Sequence, residues 1–162
     1  MLMLLFYVGD NIYALDSSHV VEVIPRVVVR KVHHVPDYVS GLFNYRGTIV
    51  PVIDLCHLIQ GKPSQSYLST RIIMVNYIGK DNTKHCLGLM AERVTETLNK
   101  PDSALMDTGT PLDVDEAPYL GEMIMDEKGM IQRIRLEYLL LDSQHKYLLA
   151  AGNASIDDTG DN

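Results

Sequence analysis

The chain has 162 residues, 46% of them hydrophobic, and a formal net charge of −7. That length suits one domain or two small barrels sharing a core, and roughly 70% of the unfolded surface can be buried, so neither a metal nor disulfides are needed for stability. The acidic balance works against nucleic-acid or anionic-membrane binding, which need basic surface. No apolar run approaches the ~20 residues that span a bilayer.

Met1 to Val8 is apolar, but it lacks a basic leader segment and runs into Gly9-Asp10. It reads as a strand and not as a signal peptide. Strands are expected at 4–8 and 11–15, with Gly9-Asp10 as their hairpin turn. Asp16-Ser17-Ser18 caps a short turn before a strand at 20–24, and an extended run resumes at 27–29 after Pro25. Residues 36–42 read as a one- or two-turn helix with Pro36 at an early position. Strands at 42–45 and 48–54 enclose a tight turn. Asn44 and Gly47 are its turn residues, because Asn tolerates and Gly favours positive φ. Tyr45 and Arg46 then stand at the tip. Pro51 cannot donate to a ladder, which argues for an edge strand or a bulge. Residues 55–60 form a helical turn that Asp54 caps and Gly61-Lys62-Pro63 ends. Further strands are expected at 71–78, 85–90, 95–98, 122–125 and 130–134. Residues 99–116, rich in Pro, Asp, Gly and Thr, read as a long loop, 136–149 as the best helix candidate, and 151–162 as a disordered acidic tail.

A weak internal repeat runs through this pattern. Residues 13–24 align without gaps on 87–98, so that Val20 meets Val94 and Glu22 meets Glu96, and 47–59 align on 129–140 with one gap. Arg46-Gly47 then corresponds to Lys128-Gly129. Two offsets in the same order point to two similar small β-barrels.

Marks of catalysis are sparse. His33 and His34 are adjacent, so on a strand they face opposite ways, and no Cys or carboxylate lies beside them at a ligand spacing. Cys56-His57 and His85-Cys86 are adjacent pairs without a visible orienting base, and both cysteines sit in apolar contexts as reduced core thiols would. No phosphate-binding loop, nucleophile elbow or zinc-protease motif is present. On pattern alone Arg46 is a solvated turn charge.

The string Gly41-Leu42-Phe43-Asn44-Tyr45-Arg46-Gly47-Thr48-Ile49-Val50-Pro51-Val52-Ile53-Asp54-Leu55 resembles the CheW family of bacterial chemosensory coupling proteins. So do Val20-Val21-Glu22-Val23-Ile24 upstream and Ser69-Thr70-Arg71-Ile72-Ile73 downstream. The resemblance runs from about Phe6 to Leu140. With Leu68 to Ile72 and Ala117-Pro118-Tyr119-Leu120-Gly121, the wording is closest to WspB-type members of surface-sensing pathways. The resemblance implies a mainly β fold, two intertwined five-stranded SH3-like β-barrels with short helices and a C-terminal helix. It implies a single domain over 1–150 with interleaved subdomains. It also implies a non-enzymatic adaptor without cofactor or metal, cytoplasmic and recruited to membrane receptor arrays. Its partners would be the cytoplasmic tip of a methyl-accepting receptor and the regulatory domain of a CheA-like histidine kinase. The matching Arg46 belongs to the family's partner-contact face, and Tyr45 stands where an aliphatic residue is commoner. Val20, Glu22, Thr70 and Gly88 match positions near the inter-barrel groove that takes the receptor tip, although ordinary strand packing explains such residues too. The alternative is a small β-barrel binding module outside chemosensory signalling.

Overall fold

The computed structural model describes residues 1–78, 82–100, 105–106 and 117–139. In chain order the strands are β1 Leu2–Val8, β2 Asn11–Asp16, β3 Val20–Pro25, β4 Val39–Tyr45, β5 Thr48–Asp54, β6 Arg71–Ile78, β7 Lys84–Ala91, β8 Arg93–Asn99, β9 Leu105–Met106, β10 Leu120–Asp126 and β11 Gly129–Ile134. Among the described residues one α-helix, α1, spans Leu55–Gln60, and 3₁₀ turns lie at Ser17–His19 and Leu136–Tyr138. The strands form two sheets, ordered β8-β1-β2-β11-β10-β9 and β3-β6-β7-β5-β4.

The duplication seen in the sequence reappears in these orders. Matching β1 to β6, β2 to β7, β3 to β8, β4 to β10 and β5 to β11 turns one five-strand order into the other. Each sheet has a single parallel contact, β5 with β7 in one and β11 with β2 in the other, and these are equivalent pairs. The two repeats exchange strands. The first contributes β1 and β2 to one sheet and β3, β4 and β5 to the other, and the second does the reverse.

Strand periodicity sorts the apolar side chains into three cores, because successive residues face opposite sides of a sheet. Along β1, Leu4, Phe6 and Val8 join Ile73, Val75, Leu87 and Leu89 in a central core between the sheets. The alternate residues Met3 and Leu5 pack with Ile12, Ala14, Ile124 and Ile131 inside the first barrel. On β6, Ile72 and Met74 face Val50, Val52 and Met90 inside the second. Full burial of each such aliphatic side chain is worth about 1.5–3 kcal/mol, so the central layer is what makes the two barrels one unit.

Several local expectations change, among them the loop at 99–116, which contains β9. Residues 36–42 are not helical: a turn at Asp37-Tyr38 leads into β4, which starts at Val39. Pairing with β5 overrides local propensity there, and Gly41 lies at φ +151° where Arg30 and Leu42 exchange backbone hydrogen bonds of 2.7 and 2.8 Å. Another change concerns β5, which is internal, between β4 and β7, so the edge alternative falls, while the β4–β5 ladder is irregular between Val39 and Gly41, opposite Ile53 and Val52. Pro51 is tolerated because β7 joins only from Val52 onward, so position 51 has no ladder partner on that side. In addition, β8 begins at Arg93, two residues before the strand expected there. The expected helix at 136–149 is described only as far as the 3₁₀ turn Leu136–Tyr138 and the following Leu139; its remainder and the acidic tail lie outside the described residues.

Candidate functional site

The β4–β5 hairpin ends in a two-residue turn. Arg46 and Gly47 both take positive φ, 52° and 88°, the pattern of a type I′ turn that suits the right-handed twist of paired strands. Asn44 stays in the strand and serves as an acceptor: the Gly47 N–H donates to its Oδ1 at 2.8 Å. Arg46, and not Asn44, therefore holds the left-handed conformation, which L-residues with a Cβ adopt at a cost of about 1 kcal/mol. Strain of that kind concentrates at functional positions.

β3 and β4 are opposite edges of their sheet, yet side chains join them. The Tyr45 hydroxyl donates to Glu22 Oε1 at 2.5 Å, and Arg46 Nη2 reaches the same oxygen at 2.8 Å. The guanidinium carbon lies 5.1 Å from the Tyr45 ring centroid, within cation–π range. Phe43, two residues back and so on the same face of β4, lies 6.0 Å away, ring to ring. Thus an acid from one edge strand and an aromatic–cation pair from the hairpin tip close the second barrel. The Arg46 side chain is 68% exposed and that of Glu22 33%. The bond to the carboxylate raises the Tyr45 phenol above its ordinary pKa, since ionising it would set two anions side by side.

The first barrel carries a related link with reversed polarity. Lys100, just beyond β8, pairs with Asp126 at the end of β10 at 3.0 Å, and this contact holds the Asp126 carboxyl below its ordinary range. In that barrel an acid sits on the hairpin; in the other the hairpin presents a cation.

The sequence-derived site residues therefore divide. Arg46, Tyr45 and Glu22 converge. Val20 packs against the central core. Thr70 is 1% exposed; its hydroxyl donates to the Gln65 carbonyl at 2.6 Å and accepts from the Tyr67 N–H at 3.1 Å, so it holds the 65–70 loop. It precedes Arg71, which pairs with Pro25 at the end of β3 away from Val20. Gly88 lies inside the second barrel, where a Cβ would come 3.0 Å from Ile72 Cγ2 and 3.3 Å from Val52 Cγ2. Phe43 is the member that sequence reasoning missed; its i, i+2 spacing from Tyr45 on a strand was the available signal.

Asp54 acts as the expected cap and does more. It is 4% exposed and accepts from the N–H groups of Cys56 and His57, from the Ser64 N–H at 2.7 Å and from the Ser64 hydroxyl at 2.5 Å. It pins α1 and the following loop beside a cleft of about 690 Å³ that Arg26, Lys31, Asp37 and His57 also line. Cys56 is fully buried, and burial pushes its thiol up to about 11, the opposite of an activated nucleophile. Among the described residues no three His, Cys, Asp or Glu side chains are grouped to hold a metal ion, and no helix is long and apolar enough to cross a membrane.

Comparison with known proteins matches this chain to a family. Residues 2–144 match the model of the CheW-like domain. The chain is similar to the probable chemotaxis protein CheW of Rhizobium etli, 24% identical over 139 residues and 86% of each chain. It is also similar to the chemotaxis protein CheW of Helicobacter pylori, 28% identical over 93 residues, 57% of this chain and 53% of that one, so the matched stretch spans about half of that relative. The crystal structure of the scaffolding protein TtCheW from Thermoanaerobacter tengcongensis shares the fold, with a TM-score of 0.75, 24% identity, and 88% of this chain and 89% of that chain covered. With the match extending through all of the strands described above, the chain belongs to the CheW-like domain family.

Proposed function

We propose that this protein is a non-enzymatic, cytoplasmic adaptor that couples methyl-accepting chemoreceptors to a CheA-like histidine kinase at membrane receptor arrays. The observation that carries the reading is the exposed Arg46, held in a left-handed turn and steadied by Glu22 and Tyr45. A guanidinium fixed in this way offers a planar fork of donors to carboxylates and carbonyls on a helical hairpin. Names of similar proteins support the same direction, since they are chemotaxis proteins and a scaffolding protein. The inter-barrel groove takes the receptor tip, and one barrel packs on the kinase's regulatory domain. Each contact buries roughly 800 Å² per partner or less, as transient signalling interfaces do. The wording of residues 41–47, with that of 68–72 and 117–121, supports placing the chain in a WspB-type surface-sensing pathway.

Pull-downs with the cognate receptor and kinase test the reading. Wild type is expected to bind both, and Arg46→Glu to lose the receptor with only a small fall in melting temperature, because the side chain is mostly exposed and such a pair adds little to stability. Failure of wild type to bind either partner refutes the adaptor role. Undiminished receptor binding by Arg46→Glu refutes the site.

A further inference from the structure

We propose that Tyr45 is the positioning residue that presents Arg46 to its partner, acting through Glu22; this rests on the adaptor reading above. Glu22 Oε1 receives two donors, the Tyr45 hydroxyl at 2.5 Å and Arg46 Nη2 at 2.8 Å. The carboxylate therefore cannot follow the guanidinium freely, because the phenol, anchored by its ring on β4, fixes where that oxygen lies. The ring itself supports the cation at 5.1 Å, and Phe43 backs the ring at 6.0 Å. One nitrogen of the guanidinium is committed to Glu22, and the side chain remains 68% exposed. Because the group carries five N–H donors, most of them are left to a partner carboxylate or carbonyl.

The hydroxyl has a second effect at the moment of binding. A partner carboxylate that draws Arg46 outward takes a donor from Glu22. Stripping the last donor from a partly buried carboxylate carries a desolvation penalty. With Tyr45 still donating, the oxygen keeps one strong hydrogen bond, so Arg46 is released to the partner at a smaller cost. An aliphatic side chain at position 45 supplies neither the pin nor the replacement donor. Tyr45 thereby selects for partners that engage the guanidinium with an acceptor, over partners that only pack on an apolar tip.

The test compares Tyr45→Phe, which keeps the ring and removes the hydroxyl, with Glu22→Ala and the double variant. The probe is the purified cytoplasmic hairpin of the cognate receptor. Tyr45→Phe is expected to weaken binding by about 5-fold, the scale of one partly exposed hydrogen bond to a charge, with no change in kinase binding. In the Glu22→Ala background the same substitution is expected to add nothing, because the residue acts through that carboxylate. Additive losses, or wild-type affinity in Tyr45→Phe, overturn the proposal while leaving the adaptor reading intact. Loss of all receptor and kinase binding by wild type overturns the adaptor reading instead. The free protein supplies an independent readout: nitrogen-detected NMR is expected to show restricted rotation of the Arg46 guanidinium in wild type and averaging in Tyr45→Phe. Identical spectra overturn the positioning role whatever the partner does.

Discussion

Replacing Gly41 with Ala tests whether the 26–38 segment is clamped to the β4 edge at the Arg30–Leu42 bridge. An ideal Cβ at position 41 would lie 2.3 Å from the Arg30 carbonyl oxygen and 2.8 Å from its carbon. Both are backbone atoms, so no side-chain rotation relieves the overlap. The reciprocal Arg30–Leu42 hydrogen bonds at 2.7 and 2.8 Å must open. Two backbone hydrogen bonds are worth about 1 kcal/mol each, and the φ of +151° adds strain of about 1 kcal/mol for a residue with a Cβ. The expected loss is about 2–4 kcal/mol, which for a chain of this size lowers the melting temperature by about 5–15 °C. Thermal unfolding followed by circular dichroism reads the loss. Hydrogen exchange locates it, with the amides of Arg30 and Leu42 losing protection first. An unchanged melting temperature with unchanged protection at those amides would show that the segment is not clamped as described.

Other outcomes follow from the same kind of accounting. Asp54→Ala leaves four donors unmatched at a buried site and is expected to cost about 2–4 kcal/mol, measured by urea unfolding, with Ser64→Ala costing less because only the hydroxyl bond is removed. Burial opposes ionisation of Glu122, yet the hydrogen bond from its own backbone N–H, with the bonds and charges of Arg133 and Arg135 at 3.1 and 3.2 Å, prevails and holds its carboxyl below the ordinary value of 4.5. Its native pKa is thus the lower one, so its contribution is fully present above 4.5 and is lost as pH falls through the depressed native value. The stability gap between wild type and Glu122→Gln should be widest near neutral pH and close in acid; a gap that widens in acid reverses the sign of the argument. For Cys56, burial and a thiol raised to about 11 predict no alkylation by iodoacetamide in the native protein at pH 8 and ready alkylation once urea unfolds it.

Much of this fold is written in local residue patterns. Asp54 and Gly61 bracket α1 because one accepts from the first N–H groups and the other takes the left-handed cap at φ 79°, and both residue types signal this in isolation. The repeat was visible because matched strands keep the same inward positions. Residues 36–42 misled because Pro36 favours a helix start, whereas the strand there is made by Arg30 and by β5, which lie at a distance along the chain. For the candidate site, Tyr45 and Arg46 announce themselves as a turn tip. Their convergence with Glu22 spans 23 residues and depends on a sheet curling until its edges meet, and no local pattern encodes that closure. Thr70 and Gly88 carry the same family wording as Arg46, but their geometry is that of loop and barrel packing.

The reciprocal exchange of strands has a consequence for how such a chain holds together. Each half donates two strands to the other's barrel and receives two in return, as two copies of a half-length chain would in a swapped homodimer. The connection through residues 61–70, held by Ser64 on Asp54 and by Thr70 on Gln65, turns that encounter into an intramolecular one. Cleavage there would leave two fragments, each with half of two barrels and neither with a closed core. Their assembly would then depend on concentration, whereas in the intact chain the linker supplies a fixed effective concentration and keeps the two faces of the molecule in constant register.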